Sequence, residues 1–153
     1  MTAVAGLWIT AGYVDRVPDS SPLPEGLGAL AETMGIVLTE LTAERVVGTM
    51  PVKGNTQPFG LLHGGASCVL AETLGSFAAS LHGYTVGKPM ALGIDISATH
   101  HKAVVAGTVT GVATPAHRGR GVATYEIVIT DDHGDRVCTA RLTCMLRPAP
   151  PAS

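Results

Sequence analysis

Glu72 is the only acid between Glu44 and Asp95, and no Lys or Arg falls between Lys53 and Lys88, so it has no counterion nearby in sequence. A carboxylate in that position, if burial tunes its pKa, can attack a bound carbonyl or take a proton from water. At about 3.6 residues per helical turn, Gly65, Cys68, Glu72 and Ser76 fall on one stripe. Upstream, in His63-Gly64-Gly65, two glycines let a ligand approach the backbone closely. The first turn of a helix also leaves N–H groups without internal partners, and these, with the helix dipole, suit a developing negative oxygen. That is how an oxyanion site is made. Together Gln57, His63, Gly64, Glu72 and Ser76 fit acyl transfer to water.

Taken singly, each of these residues has an ordinary reading. Glu72 alone reads as a solvated helix residue, His63 before two glycines as a capping or packing residue, and Ser76 as neutral filler. Cys68 is either a nucleophile or a small buried thiol, and the second fits a helical cysteine with no neighbouring base. His100 and His101 are adjacent, so on a strand they point to opposite faces and do not make one metal site.

These groups need a scaffold. From residue 64 to about 82 no proline occurs, and Ala66, Val69, Leu70, Leu74, Phe77 and Leu81 recur at three- and four-residue steps, which predicts a helix with an apolar face turned away from the Glu72 stripe. Gly83, Gly87 and Pro89 end it. Before it, Ile36, Val37, Val46 and Val47 flank a turn at 42–44 and predict a hairpin over 35–52. After it, residues 90–101, 103–115, 121–130 and 136–147 read as strands, the last two separated by the Asp132-His133-Gly134 turn. One long helix and about six strands in this order make an α+β plan, an antiparallel sheet wrapped around one central helix.

A chain of 153 residues suits one domain with a real core. Composition shifts only at the ends: residues 1–26 form a loop-rich N-terminal segment with Pro18, Pro22 and Pro24, residues 27–147 carry the domain, and 148–153 read as a flexible tail. With 46% hydrophobic and 14% charged residues and a mean hydropathy of +0.32, the chain is apolar for a soluble monomer, so a membrane or a subunit interface should absorb some of its surface. Spanning a bilayer takes about 20 mostly apolar residues, and the uncharged runs are broken by Gln57, Pro58, His63 and several glycines. A net charge of −2 opposes bulk attraction to nucleic acid or an anionic membrane. Cys68, Cys138 and Cys144 are odd in number and form no CxxC pair, and the first residues lack a basic leader, so we expect a reducing, cytoplasmic setting.

The run Gln57-Pro-Phe-Gly-Leu-Leu-His-Gly-Gly-Ala-Ser, followed by Leu70-Ala-Glu-Thr-Leu-Gly-Ser, resembles the signature of the hotdog-fold acyl-CoA thioesterases (PaaI-like). Within that family it is most similar to the catalytic-glutamate enzymes that act on 1,4-dihydroxy-2-naphthoyl-CoA in menaquinone biosynthesis and to their sister group that proofreads enterobactin synthesis, and more distantly similar to the glutamate-dependent enzymes acting on hydroxybenzoyl-CoA. The resemblance continues through Ser97-Ala-Thr-His-His-Lys and Pro115-Ala-His-Arg-Gly-Arg to the last strand, covering roughly residues 27–147. It implies a hotdog fold and hydrolysis of an aromatic or medium-chain acyl-CoA to free acid and CoA, with no metal or redox cofactor. It further implies Glu72 as nucleophile or general base, a Gly64 N–H polarising the thioester carbonyl, Gln57 and His63 shaping that pocket, and Ser76 holding the water or the substrate. Gly93, His100, His101, Lys102 and Ala103, with His117, Arg118, Gly119, Arg120, Gly121 and Val122, match stretches that contact CoA. Read without the resemblance, Arg118 and Arg120 are equally a solvated hairpin. The resemblance also implies a homodimer whose active sites draw on both chains, pairing into a homotetramer. Two rivals stay open: a hotdog acyl-thioester hydratase or dehydratase, and a non-catalytic acyl-CoA-binding module.

Overall fold

The computed structural model describes residues 26–149. The expected N-terminal segment, except Gly26, and the tail beyond Ala149 lie outside the described residues. The elements are α1 (Ala29–Thr33), β1 (Val37–Leu41), β2 (Val46–Pro51), α2 (Gly64–Thr85), β3 (Met90–His100), β4 (Thr108–Arg118), β5 (Val122–Thr130) and β6 (Arg136–Arg147). The strands form one antiparallel sheet in the order β1-β2-β4-β5-β6-β3. Helix α2 links β2 to β3 and packs against every strand, so the sheet curls around it as the sequence pattern predicts.

The buried stripe of α2 is made of small residues around two leucines: Ala66, Leu70, Ala71, Leu74, Gly75, Ala78 and Ala79. Phe77 and Leu81, expected in the core, are only half-buried. The reason is close approach. Gly48 and Gly111 are paired across β2 and β4, and Leu74 sits in the notch they leave, where a β-carbon on either would come within 2.8 or 2.6 Å of its methyls. Small residues on the helix let the sheet close on it without voids, which a stripe centred on Phe77 would prevent.

Two boundaries differ from expectation. Residues 103–107 are loop rather than strand, because the chain turns at Gly107 (φ 85°) and the carbonyls of Val104 and Gly107 instead accept from the N–H groups of Leu62 and Val52. Strand β4 then runs past Pro115 to Arg118, accommodating the proline at a register shift between Pro115 and His117. The short α1 and the extension of α2 to Thr85 were not expected.

Tyr125 on β5 is fully buried and its hydroxyl donates to the carbonyls of Ala43 (2.8 Å) and Ala78 (3.1 Å), pinning the β1–β2 turn to α2. Burial pushes its pKa up to about 12, so it stays a donor throughout the working range. Tyr125→Phe removes that donor and leaves two carbonyls short, and is expected to cost about 1–2 kcal/mol. Calorimetry should then show a melting temperature lower by about 3–6 °C.

Candidate active site

The site is laid out along α2 against β3, which runs antiparallel to it. At the helix start, His63 is the N-cap, with φ −69° and ψ 129°, and its Nδ1 accepts from the Gly65 N–H at 2.8 Å. This secures one of the free first-turn donors. The Gly64 N–H, one residue earlier, has no acceptor among the described residues. The His100 ring from β3 lies against Gly64, where a β-carbon would sit 2.8 Å from His100 Nε2. Gln57 belongs to the turn leading into the helix: its N–H donates to the Leu61 carbonyl at 2.8 Å, and its Oε1 accepts from the Phe59 N–H, so the amide NH2 remains for a ligand. Asn55 fastens this loop, donating to the carbonyls of Met34 and Pro51, each at 2.8 Å. No motif exposed Asn55 in the sequence; an asparagine in a glycine-rich loop was its only sign.

Two turns along the helix, Glu72 lines a cleft of about 440 Å3 with Leu27, Leu30, Cys68, Val69, Thr73 and Ile96. Its pKa is raised by burial, partly opposed by Ser76, and none of the ion pairs among the described residues involves it. The Ser76 hydroxyl also lies 4.0 Å from Cys144 Sγ on β6. Burial raises the Cys138 and Cys144 thiols to about 11, which keeps both protonated and poor nucleophiles. The cleft wall from α1 was missed because the sequence around Leu27 and Leu30 carries no periodic signal long enough to read.

Gly64 and Glu72 are eight residues apart, so they are separated by about 12 Å along the helix axis. A carbonyl bound at the Gly64 N–H is therefore out of reach of the same chain's Glu72.

Apart from Gly93, which lies against Glu72 in the middle of α2, the residues matched to CoA contacts fall at opposite ends of the helix. His100, His101, Lys102 and Ala103 lie near its start, and His117 to Val122 near its end, where His82 Nε2 meets the Gly119 carbonyl at 2.9 Å. Gly64 and His82 are about 27 Å apart along the axis. The adjacent histidines diverge as strand geometry requires: His100 faces Gly64, and His101 Nε2 bonds Thr139 Oγ1 at 3.0 Å. No cluster that could hold a metal occurs among the described residues. Lys102 is held by Asp131 (2.6 Å) and Asp135 (2.5 Å), and Arg118 by Glu44 (2.6 Å). These bonds lower the pKa values of Asp131 and Glu44. Arg120 is exposed and makes no ion pair with the described residues. His117 packs on Gly119, whose N–H donates to the Val122 carbonyl at 2.9 Å, and Gly121 accepts from the Leu146 N–H at 2.9 Å.

One antiparallel six-stranded sheet curled round one long helix is the architecture of the hotdog fold. The model of the Thioesterase superfamily matches residues 59–138. The chain is 51% identical over 118 residues to the proofreading thioesterase EntH of Cronobacter sakazakii, covering 76% of this chain and 85% of that one. Among solved structures, a thioesterase of Haemophilus influenzae is 38% identical with a TM-score of 0.72, covering 78% of this chain and 82% of the other. A mutant thioesterase of Pseudomonas aeruginosa is also 38% identical, with a TM-score of 0.74 and coverage of 78% and 86%. The chain belongs to the thioesterase superfamily and is a thioester hydrolase of the hotdog fold.

Proposed function

We propose that the protein hydrolyses an aromatic or medium-chain acyl-CoA to the free acid and CoA, with Glu72 as the reacting carboxylate. The observation that carries this reading is the placement of Glu72: a carboxylate that pairs with no cation among the described residues, half-buried in an apolar cleft wide enough for an acyl group. A residue with no chemical task gains nothing from such desolvation. The thioester carbonyl accepts from the Gly64 N–H, with His63 and Gln57 shaping that end of the pocket. Glu72 then attacks the carbonyl carbon or takes a proton from the attacking water, Ser76 holding the water or the substrate. The carbon–sulfur bond breaks, and CoA leaves as the thiol.

Because about 12 Å of helix separates the Gly64 N–H from Glu72, the two act on one carbonyl only if they come from different chains. The exposed edge of the sheet supports a homodimer. Among the described residues strand β3 has one sheet neighbour, β6, and exposes Met90, Leu92, Ile94 and Ile96, an edge available for pairing with a second copy. Two-fold pairing along β3 sets the helices antiparallel, so the start of one α2 approaches the later turns of the other. The same geometry brings His100 of one chain toward the 117–122 loop of its partner, where Arg120, His117 and His101 offer donors to CoA phosphates. Association of dimers into a tetramer follows from the family resemblance, and a cytoplasmic setting fits three free cysteines. No helix among the described residues is long and apolar enough to cross a membrane.

A panel of benzoyl, hydroxybenzoyl, 1,4-dihydroxy-2-naphthoyl and aliphatic acyl-CoAs, followed with a thiol reagent, tests the reading. Release of free CoA with at least one member is expected. Consumption of an enoyl-CoA without thiol release would make the protein a hydratase, and tight binding with no turnover would make it a binding module.

A further inference from the structure

The backbone of β3 does something that neither the strand pattern nor the resemblance explains. From Cys138 onward strand β6 alternates, its even-numbered residues Cys138, Ala140, Leu142, Cys144 and Leu146 buried toward α2. Directly opposed residues of an antiparallel pair share a face. The β3 residues facing the helix are therefore Ala91 and Gly93, opposite Leu146 and Cys144, and then Ile96, Ala98 and His100, opposite Leu142, Ala140 and Cys138. The parity changes from odd to even because the register shifts between Gly93 and Asp95, leaving Ile94 without a partner. In a regular strand, Gly93 and His100, seven residues apart, would lie on opposite faces. The bulge puts both toward α2, His100 against Gly64 and Gly93 against Glu72.

The contact at Gly93 is unusual. Its φ lies outside the left-handed region, so the backbone does not require glycine there. What the missing side chain makes room for is the Glu72 carboxylate: Oε1 occupies the space a β-carbon at 93 would fill. Across the strand pair, Cys144 touches Ser76, one helical turn from Glu72. Bulges are common beside active sites, where they re-aim a side chain.

We infer that Gly93, presented to α2 by the β3 bulge, is a positioning residue that seats the Glu72 carboxylate for reaction, rather than only a contact for CoA. The inference rests on the reading of Glu72 as the reacting group. Gly93→Ala leaves the strand an allowed backbone, and the atom in its way is the end of a flexible side chain, so the fold adjusts by swinging the carboxylate aside. Misplacement of a reacting group by about 1 Å costs on the order of 100-fold in rate, so kcat of Gly93→Ala should fall by about that factor. KM should stay within about threefold, because the change removes no binding contact made equally in ground and transition states. The melting temperature should hold.

A double-mutant cycle separates this from a structural role. Glu72→Asp withdraws the carboxylate by one methylene, and in that background Gly93→Ala should cost no more than about threefold. A role for Gly93 in folding or CoA binding predicts the same factor in both backgrounds, which would overturn the inference. Wild-type kcat for Gly93→Ala, or a crystal structure of that variant with the Glu72 carboxylate in its original place, would overturn it equally. Full activity of Glu72→Gln would instead sink the reading of the site itself, so the two failures are distinguishable.

Discussion

Glu72→Gln will lose activity by about three orders of magnitude or more in kcat, while binding acyl-CoA almost as the parent does. The amide keeps the shape and most of the packing of the carboxylate but neither attacks a carbonyl nor takes a proton from water. Steady-state kinetics of thiol release, with calorimetric binding to the inactive variant, measure both quantities. The variant should not be less stable. Burial raises the pKa of Glu72 above its ordinary 4.5, so the folded state favours the protonated acid. Its ionisation therefore weakens folding as pH rises through that interval, and at neutral pH the substitution relieves a small penalty rather than breaking a bond. The same direction governs activity: the reacting form is the carboxylate, so kcat/KM of the parent should fall as pH drops through a pKa lying above 4.5, and rise to a plateau above it. Wild-type turnover by Glu72→Gln on every substrate that the parent hydrolyses would remove Glu72 from the chemistry.

Mixing two inactive variants will restore activity. Gly64→Pro deletes the N–H proposed to polarise the carbonyl, and proline suits this place: it is the first helical residue, and His63 before it is already extended at φ −69° and ψ 129°. The adjoining His100 ring must shift slightly to admit the new side chain. Gly64→Pro and Glu72→Gln should each be nearly inactive alone. If each site takes its N–H from one chain and its carboxylate from the other, a mixed dimer has one site with both groups intact and one with neither. Random exchange makes half the dimers mixed, so activity should recover to about one quarter of wild type. Sites contained within single chains predict no recovery at all. Denaturing and refolding the two variants together, with each refolded alone as the control, makes the measurement.

The 3.6-residue spacing from 64 to 82 carried α2, since a long apolar period cannot be satisfied by a strand, and the β-branched runs carried the strands around it. The isolation of Glu72 in an uncharged stretch singled it out before any fold was known. Other features have no local signature. Residues 103–107 look like strand because Val104 and Val105 are β-branched, yet the Gly107 turn and two bonds to distant backbone override that preference. Lys102 and Arg118 look like free phosphate donors, but carboxylates 29 to 74 residues away in sequence engage them.

The sequence by itself determined the class of fold, the helix that bears the chemistry, and the candidate set Gln57, His63, Gly64, Glu72 and Ser76, because each is written in local periodicity or in residue type at short spacing. Only the tertiary structure decided where the helix buries its stripe and that Gly93 and His100 share a face, whereas the distance between Gly64 and Glu72 of one chain already follows from their spacing on one helix. Those two outcomes depend on a β-bulge and on glycines paired across strands. Each is a relation between segments distant in sequence, and no local pattern encodes it.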